Sequence, residues 1–367
     1  MLKYDAHARN QGASGLADDR RLIREDNPGP NPGDLIMFKF VPDELPKGAP
    51  LVVVLHGCGQ SAEGYAKGTG WVTLAAQWGF ALLVPEQKLS NNRGGCFNWF
   101  EPGDIERDQG EAASIRQMVE RMRQDHGIGP RRIFVTGLSA GGGMATALLA
   151  AYPDVFAGGG IVAGLPYKSA IGMRAALGTM FHGRTKPPVE WGDLVRGASN
   201  HSGPWPIVSI WQGTADKTVA PANAIELANQ WANVHGALGP AVETQVNGHR
   251  HTLLRTADGR AVVELYDINT MGHGAPIHPE DPDNPLGSKD TFILPSGISS
   301  TLLIARFWGL EPRVAEAEAE EALAPLVQEV PDREEVLAGE IPVFTRPSRP
   351  GIVKRLWRGI KRIISRG

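Results

Sequence analysis

Apolar positions along the chain fall into short unbroken runs separated by stretches with one-sided periodicity. Leu51-Val52-Val53-Val54-Leu55 is a mostly β-branched run without a polar position, the composition of a parallel strand buried on both faces. A second run, Phe80 to Val84, follows a helix-like segment around Trp71 to Gln77. From Asp108, acidic residues precede apolar positions at Ala112, Ile115, Val119 and Met122, spaced as one face of a helix that ends near Gly127. Arg132 to Thr136 then reads as a strand, followed by a glycine-rich turn and a helix over Met144 to Ala151 that Pro153 closes. Gly159 to Ala163, Pro206 to Trp211 and Ala261 to Ile268 are further expected strands. Strands alternating with helices at this spacing predict an α/β fold, a mostly parallel sheet with helices on both faces.

The period breaks down between Tyr167 and Pro204, so residues 167–204 are expected to form an insertion above the sheet. After Leu310 the composition shifts. Glu311 to Glu321 is acidic and alanine-rich, Pro325 to Pro350 is punctuated by prolines, and Ile352 to Gly367 is basic. These shifts predict an N-terminal extension over 1–30, a main domain over 31–310, an acidic, Pro-rich linker over 311–351 and a basic tail over 352–367. In that tail Val353, Leu356, Trp357, Ile360 and Ile363 share one helical face. The pattern suits peripheral contact with an anionic membrane or a hydrophobic granule surface. It suits equally a helix that folds back on the main domain or pairs with the acidic stretch.

The chain has 367 residues, 42% of them apolar, enough for a substantial core. A net charge of −3 argues against chain-wide attraction to nucleic acid or anionic lipid. No segment approaches the roughly 20 apolar residues that a membrane span needs, so the chain reads as soluble. Met1 to Asn27 has no continuous hydrophobic stretch and does not read as a secretory signal. Two cysteines, Cys58 and Cys96, are too few for a disulfide scaffold or a tetrahedral cysteine zinc site. They suffice for one bridge.

Gly137-Leu138-Ser139-Ala140-Gly141 matches G-x-S-x-G, placed after a predicted strand and before a predicted helix. That context turns a weak string into a nucleophile elbow, with the Ser139 hydroxyl held out on a tight turn at a helix N-terminus. His56-Gly57-Cys58-Gly59-Gln60 directly follows the strand Leu51 to Leu55. A loop there can offer a backbone N–H, with Cys58 the best candidate, to join that of Ala140 in an oxyanion hole. Gly213-Thr214-Ala215-Asp216 follows a strand and offers a carboxylate, better placed than Asp193 in the insertion or Asp267 inside the last strand. Among ten histidines, His273 alone combines the end of a strand with flanking glycines, which His249, His251 and His278 do not. Ser139, Asp216, His273 is the chain order of an α/β-hydrolase triad. The chemistry expected is attack of Ser139 on an ester carbonyl, with His273 as general base and Asp216 orienting it, through an acyl-enzyme. It requires no metal and no organic cofactor.

From about Asn31 to Gly309 the chain resembles the polyhydroxybutyrate depolymerase family of esterases, a group that also includes feruloyl and acetylxylan esterases. The likeness rests on Asn31-Pro32-Gly33, His56-Gly57-Cys58-Gly59-Gln60, Cys96-Phe97-Asn98-Trp99-Phe100, Gly137-Leu138-Ser139-Ala140-Gly141-Gly142 and Gly213-Thr214-Ala215-Asp216. The resemblance implies an α/β-hydrolase fold and a secreted or surface-acting esterase that opens aliphatic polyester or plant cell-wall ester bonds. Without a visible export signal, a cytoplasmic location stays open. The resemblance also implies a Cys58–Cys96 bridge that pins the oxyanion loop, with a chain-entropy gain of roughly 3–4 kcal/mol. Trp99, Trp191, Trp205 and Trp211 fall in segments expected near the mouth of the site. Their flat rings could lie against a polyester chain or an aromatic acyl group. Short-chain esters are also open as substrates. An acyltransferase using the same triad, and a non-catalytic module that kept the fold, are the competing classes.

Overall fold

The computed structural model describes residues 20–237 and 240–312. Most of the acidic and proline-punctuated stretch, and all of the basic tail, lie outside the described residues. The strands are β1 (Ile23–Glu25), β2 (Ile36–Phe40), β3 (Leu51–Leu55), β4 (Ala81–Glu86), β5 (Ile133–Leu138), β6 (Gly158–Val162), β7 (Ile207–Gly213), β8 (Val242–Val246), β9 (His249–Arg255), β10 (Ala261–Ile268), β11 (Ala275–Ile277) and β12 (Ile293–Pro295). The helices are α1 (Ala62–Gly68), α2 (Trp71–Trp78), α3 (Pro102–Ile105), α4 (Gly110–His126), α5 (Ala140–Ala151), α6 (Met173–His182), α7 (Pro188–Arg196), α8 (Ala222–His235) and α9 (Ser300–Phe307).

Ten strands form one sheet in the order β1-β2-β4-β3-β5-β6-β7-β10-β9-β8, while β11 and β12 pair apart from it. The six central strands, β4 to β10 in that order, run parallel. Antiparallel pairs close both edges. The apolar run Leu51–Leu55 is wholly buried because its two faces enter different cores. Leu51, Val53 and Leu55 enter the core that also holds Ile115, Val119 and Met122 of α4 and, further along the sheet, Leu227 and Trp231 of α8. Val52 and Val54 enter the other core, which also holds Tyr65 of α1, Trp71 of α2, and Leu302 and Ile304 of α9. Each such side chain contributes roughly 1.5–3 kcal/mol relative to exposure, so a polar residue at either face would break the strand.

The predicted strands lie within two residues of the observed ones. The expected insertion over 167–204 contains α6 and α7. Residues 23–25, expected to belong to the extension, pair with β2 as β1. Three glycines in β6 explain how helices reach the sheet centre: a Cβ on Gly159 would enter the Leu149 side chain of α5, and one on Gly160 would stand 2.7 Å from the Ile304 side chain of α9. The sheet thereby brings the carboxyl ends of β5, β6, β7 and β10 to one rim, where ligands of open parallel sheets gather.

Candidate active site

Ser139 stands between β5 and α5 with φ 58° and ψ −116°, a conformation that a non-glycine residue holds only under tight constraint. The constraint is visible on both sides. The Ser139 N–H donates to Val162 C=O at 2.9 Å, and a Cβ on Gly141 would run into the carbonyl oxygens of Leu55 and His56. Glycine at 141 therefore lets the start of α5 press against the end of β3. The first bond of α5 runs from Gly143 N–H to Ser139 C=O at 2.9 Å, leaving the amides of residues 140–142 without a helical acceptor. The Ala140 N–H is one of them.

The second predicted donor lies on the loop from His56 to Gln60. His56 is fully buried and its Nδ1 donates to Gly57 C=O at 2.8 Å, while its Nε2 accepts from Gln87 N–H at 3.1 Å. Both contacts suit a neutral ring, and burial lowers its pKa. His56 thus holds the loop. Gln60 Oε1 accepts from Gly57 N–H at 2.9 Å, and Gly59 N–H donates to Gly94 C=O at 3.0 Å. The Cys58 N–H has no acceptor among the described residues. Cys58 is bridged to Cys96, as the resemblance implies. Removing the bridge by Cys58→Ala/Cys96→Ala should lower unfolding stability by about 3–4 kcal/mol, read as a fall in denaturant midpoint. An unchanged midpoint would mean that the cross-link constrains nothing in the unfolded chain.

Behind the bridge lies a buried carboxyl that sequence reading missed. Glu111, in the first turn of α4, accepts from Asn98 N–H at 2.9 Å and from the Gln87 side-chain amide, which also donates to Cys96 C=O at 3.0 Å. Burial raises its pKa from 4.5 to about 8. A raised carboxyl contributes stability that is complete below pH 4.5 and lost as pH climbs toward 8, because the unfolded chain ionises first. Glu111→Gln should therefore flatten the fall of thermal midpoint between about pH 5 and 8. An unchanged slope would assign that titration to another group.

On the far side of Ser139, Asp216 and His273 meet. His273 Nδ1 lies 2.7 Å from Asp216 Oδ2, with side-chain exposures of 8% and 0%. The other valences of the carboxylate are filled: Oδ1 accepts from Thr218 N–H at 2.8 Å and Val219 N–H at 2.9 Å, and Oδ2 also accepts from Gln212 Nε2 at 3.1 Å. The acid and histidine loops are joined by backbone. Thr214 N–H donates to Ile268 C=O and Ala215 N–H to Met271 C=O, each at 3.0 Å. A ladder of such bonds crosses the whole rim, since Ala163 N–H also reaches Trp211 C=O at 2.8 Å.

A second path closes the ring. His273 packs edge-on against Phe292 at 5.5 Å between centroids, and Thr291 C=O accepts from Gln60 Nε2 at 2.8 Å. Gln60 therefore ties the loop from His56 to Gln60 to the segment that backs the histidine. The motif contained this glutamine, but nothing in a string reveals a partner more than two hundred residues away. Among the described residues no hydrogen bond joins the Ser139 hydroxyl to His273. Such contacts commonly tighten only when substrate is present.

The rival residues are engaged elsewhere. Asp193 pairs with Arg196 at 2.8 Å and Asp267 with Arg250 at 2.6 Å. His249 contacts Ser296 C=O, His251 contacts Glu264 and His278 contacts Asp281. Three of the four tryptophans do not fit the expected cleft wall. Trp191 and Trp211 are fully buried, their ring nitrogens donating to Glu226 Oε2 and Ser209 Oγ at 2.8 Å. Trp211 also stacks on Tyr266 at 3.9 Å. Trp205 lies just before Ile207, at the amino end of β7, so it belongs to the opposite rim. Proximity in sequence to a loop said nothing of which face or end each ring takes. Trp99 alone adjoins the site, buried with Ala140, Leu165 and Val219 and pressed against Gly143. No group of metal-binding side chains occurs among the described residues.

The arrangement provides a hydroxyl on a strained turn, an oriented imidazole and, among the described residues, two amides without an acceptor on one rim, the parts of acyl transfer. Residues 39–252 match the family described as "Esterase PHB depolymerase". A poly(3-hydroxyalkanoate) depolymerase C of Paucimonas lemoignei is 47% identical over 291 residues, covering 79% of this chain and 70% of that protein. A feruloyl esterase B of Thermothelomyces thermophilus is 34% identical over 60% of this chain and 76% of its own length. The solved acetyl xylan esterase of Aspergillus awamori superposes with a TM-score of 0.62 at 26% identity, covering 69% of this chain and 94% of that one. The chain belongs to the PHB depolymerase family of esterases and is a serine carboxylic ester hydrolase of the α/β-hydrolase fold.

Proposed function

We propose that Ser139, His273 and Asp216 carry the ester hydrolysis, that the Cys58 and Ala140 amides form its oxyanion hole, and that the ester is that of an aliphatic poly(3-hydroxyalkanoate). The observation behind the residue assignment is the 2.7 Å contact of His273 Nδ1 with a fully hydrogen-bonded Asp216, on the same rim as the strained Ser139. Asp216 keeps the Nδ1 proton in place, so Nε2 carries the lone pair. His273 Nε2 takes the Ser139 proton as Oγ attacks the ester carbonyl. Charge that develops on the carbonyl oxygen meets the two amides. The intermediate then collapses: the alcohol leaves with the proton from His273, and water, activated by the same ring, releases the acid from Ser139.

The polyester assignment is supported by the 47% identity to a bacterial enzyme named for that polymer over most of both chains. The fungal relative named for feruloyl esters is less similar. A panel of p-nitrophenyl butyrate, poly(3-hydroxybutyrate) film and methyl ferulate tests it. Release of soluble hydroxy acid from the film, with methyl ferulate turned over at least about tenfold less efficiently than the butyrate ester, is expected. Efficient cleavage of methyl ferulate with an intact film would overturn the polyester reading.

A further inference from the structure

Helix α6 has two apolar faces. Ala176 packs inward with Ala140, Trp99, Phe100 and Val219. Outward, Met173, Leu177 and Phe181 are 52%, 44% and 38% exposed, and their spacing of four residues places them in one stripe along the helix. Ile171, 66% exposed, extends it at the amino end. Large apolar side chains gathered on one exposed face signal an interaction surface.

Two observations say what covers it. The stripe runs into the proposed site. Phe181 lines a cavity of about 500 Å³ together with Asp216, Lys217 and Thr214, and Ala220 N–H donates to Met180 C=O at 2.7 Å, tying α6 to the Asp216 loop. The flanks of the stripe are basic as well. No acidic residue occurs from Ile171 to Val189, and the exposed Arg174, Arg184 and Lys217 make no ion pair among the described residues. A partner that is apolar, carries anionic groups and leads into an ester-cleaving site matches these features. Hydrolysis of a polyester surface creates such a partner, since every cut leaves a carboxylate end among aliphatic chain.

We infer that the outer face of α6 is a docking surface for aliphatic polyester, on which Met173, Leu177 and Phe181 lie against polymer chains while Arg174, Arg184 and Lys217 face their carboxylate ends. The inference rests on the polyester reading of the site. Docking there holds the enzyme with its cleft edge against the polymer, so the ester that enters comes from the chain already bound. A soluble ester needs no such hold.

The test uses the full chain and the variant Met173→Ser/Leu177→Ser, which alters neither the cavity lining nor the proposed triad. Adsorption to poly(3-hydroxybutyrate) film and film hydrolysis should both fall at least about tenfold, while kcat/KM for p-nitrophenyl butyrate stays within about twofold of the parent. Met173→Leu/Leu177→Met should adsorb as the parent does. Adsorption of the serine variant equal to the parent's, on a film that the parent hydrolyses, would overturn the docking surface and leave the polyester reading intact. A parent that leaves the film untouched overturns both. Loss of binding to phosphatidylglycerol vesicles with film adsorption unchanged would assign the face to lipid and overturn the inference.

Discussion

Ser139→Ala is expected to lower kcat/KM for p-nitrophenyl butyrate by at least about 10⁴-fold with little change in thermal midpoint. The reasoning starts from the backbone. The φ of 58° at this position is held by Val162 C=O on one side and by the contact of Gly141 with Leu55 and His56 on the other, so the turn survives loss of the hydroxyl. What disappears is the atom proposed to attack. Activity that remains can come only from binding and the amide pair acting on water, a small fraction of the whole. A variant within tenfold of the parent would mean that the nucleophile is another residue.

Asp216→Asn is the second large effect, about 10⁴-fold in kcat, and its cause lies in who donates to the carboxylate. Thr218 and Val219 N–H groups both donate to Oδ1, so in an asparagine the carbonyl oxygen takes that place and the amide nitrogen takes that of Oδ2. That nitrogen donates toward His273 Nδ1, which must then present its lone pair. The proton moves to Nε2, and the ring can no longer accept from Ser139. Gln212, which donates to Oδ2 at 3.1 Å, would face another donor there and keep only its bonds to Val219 C=O at 3.1 Å and Gly213 C=O at 3.3 Å. The kcat loss should come with a modest fall in thermal midpoint. Substrate KM should move little, since no binding contact changes. A kcat within tenfold of the parent would show that Asp216 does not set the tautomer.

Much of this was legible in the sequence, for identifiable reasons. Leu51–Leu55, Ile133–Leu138 and Ala261–Ile268 are buried on both faces or nearly so, so their composition alone announces them. The residues of the proposed triad stand at strand ends, where chain order and local glycines carry the signal. The edge strands β8 and β9 were not legible: Val242–Val246 is mostly exposed and mixed, and its pairing depends on a partner strand rather than on its own pattern. Strand β6 opens with three glycines whose purpose is to admit α5 and α9, which no propensity encodes. The buried tryptophans misled because a ring beside a functional loop can point through the sheet as readily as over it. Gln60, Gln87, Gln212 and Glu111 were silent, since each acts through partners far along the chain.

Phosphorylation by an organophosphate ester decides the central assignment most directly. The protein is treated with excess diethyl p-nitrophenyl phosphate, its intact mass is measured, and the modified peptide is sequenced. One diethylphosphoryl group per chain, carried by Ser139 and absent from Ser139→Ala, is the expected result. Stoichiometric modification of any other side chain, with loss of esterase activity and Ser139 unmodified, would contradict acyl-enzyme chemistry at this serine.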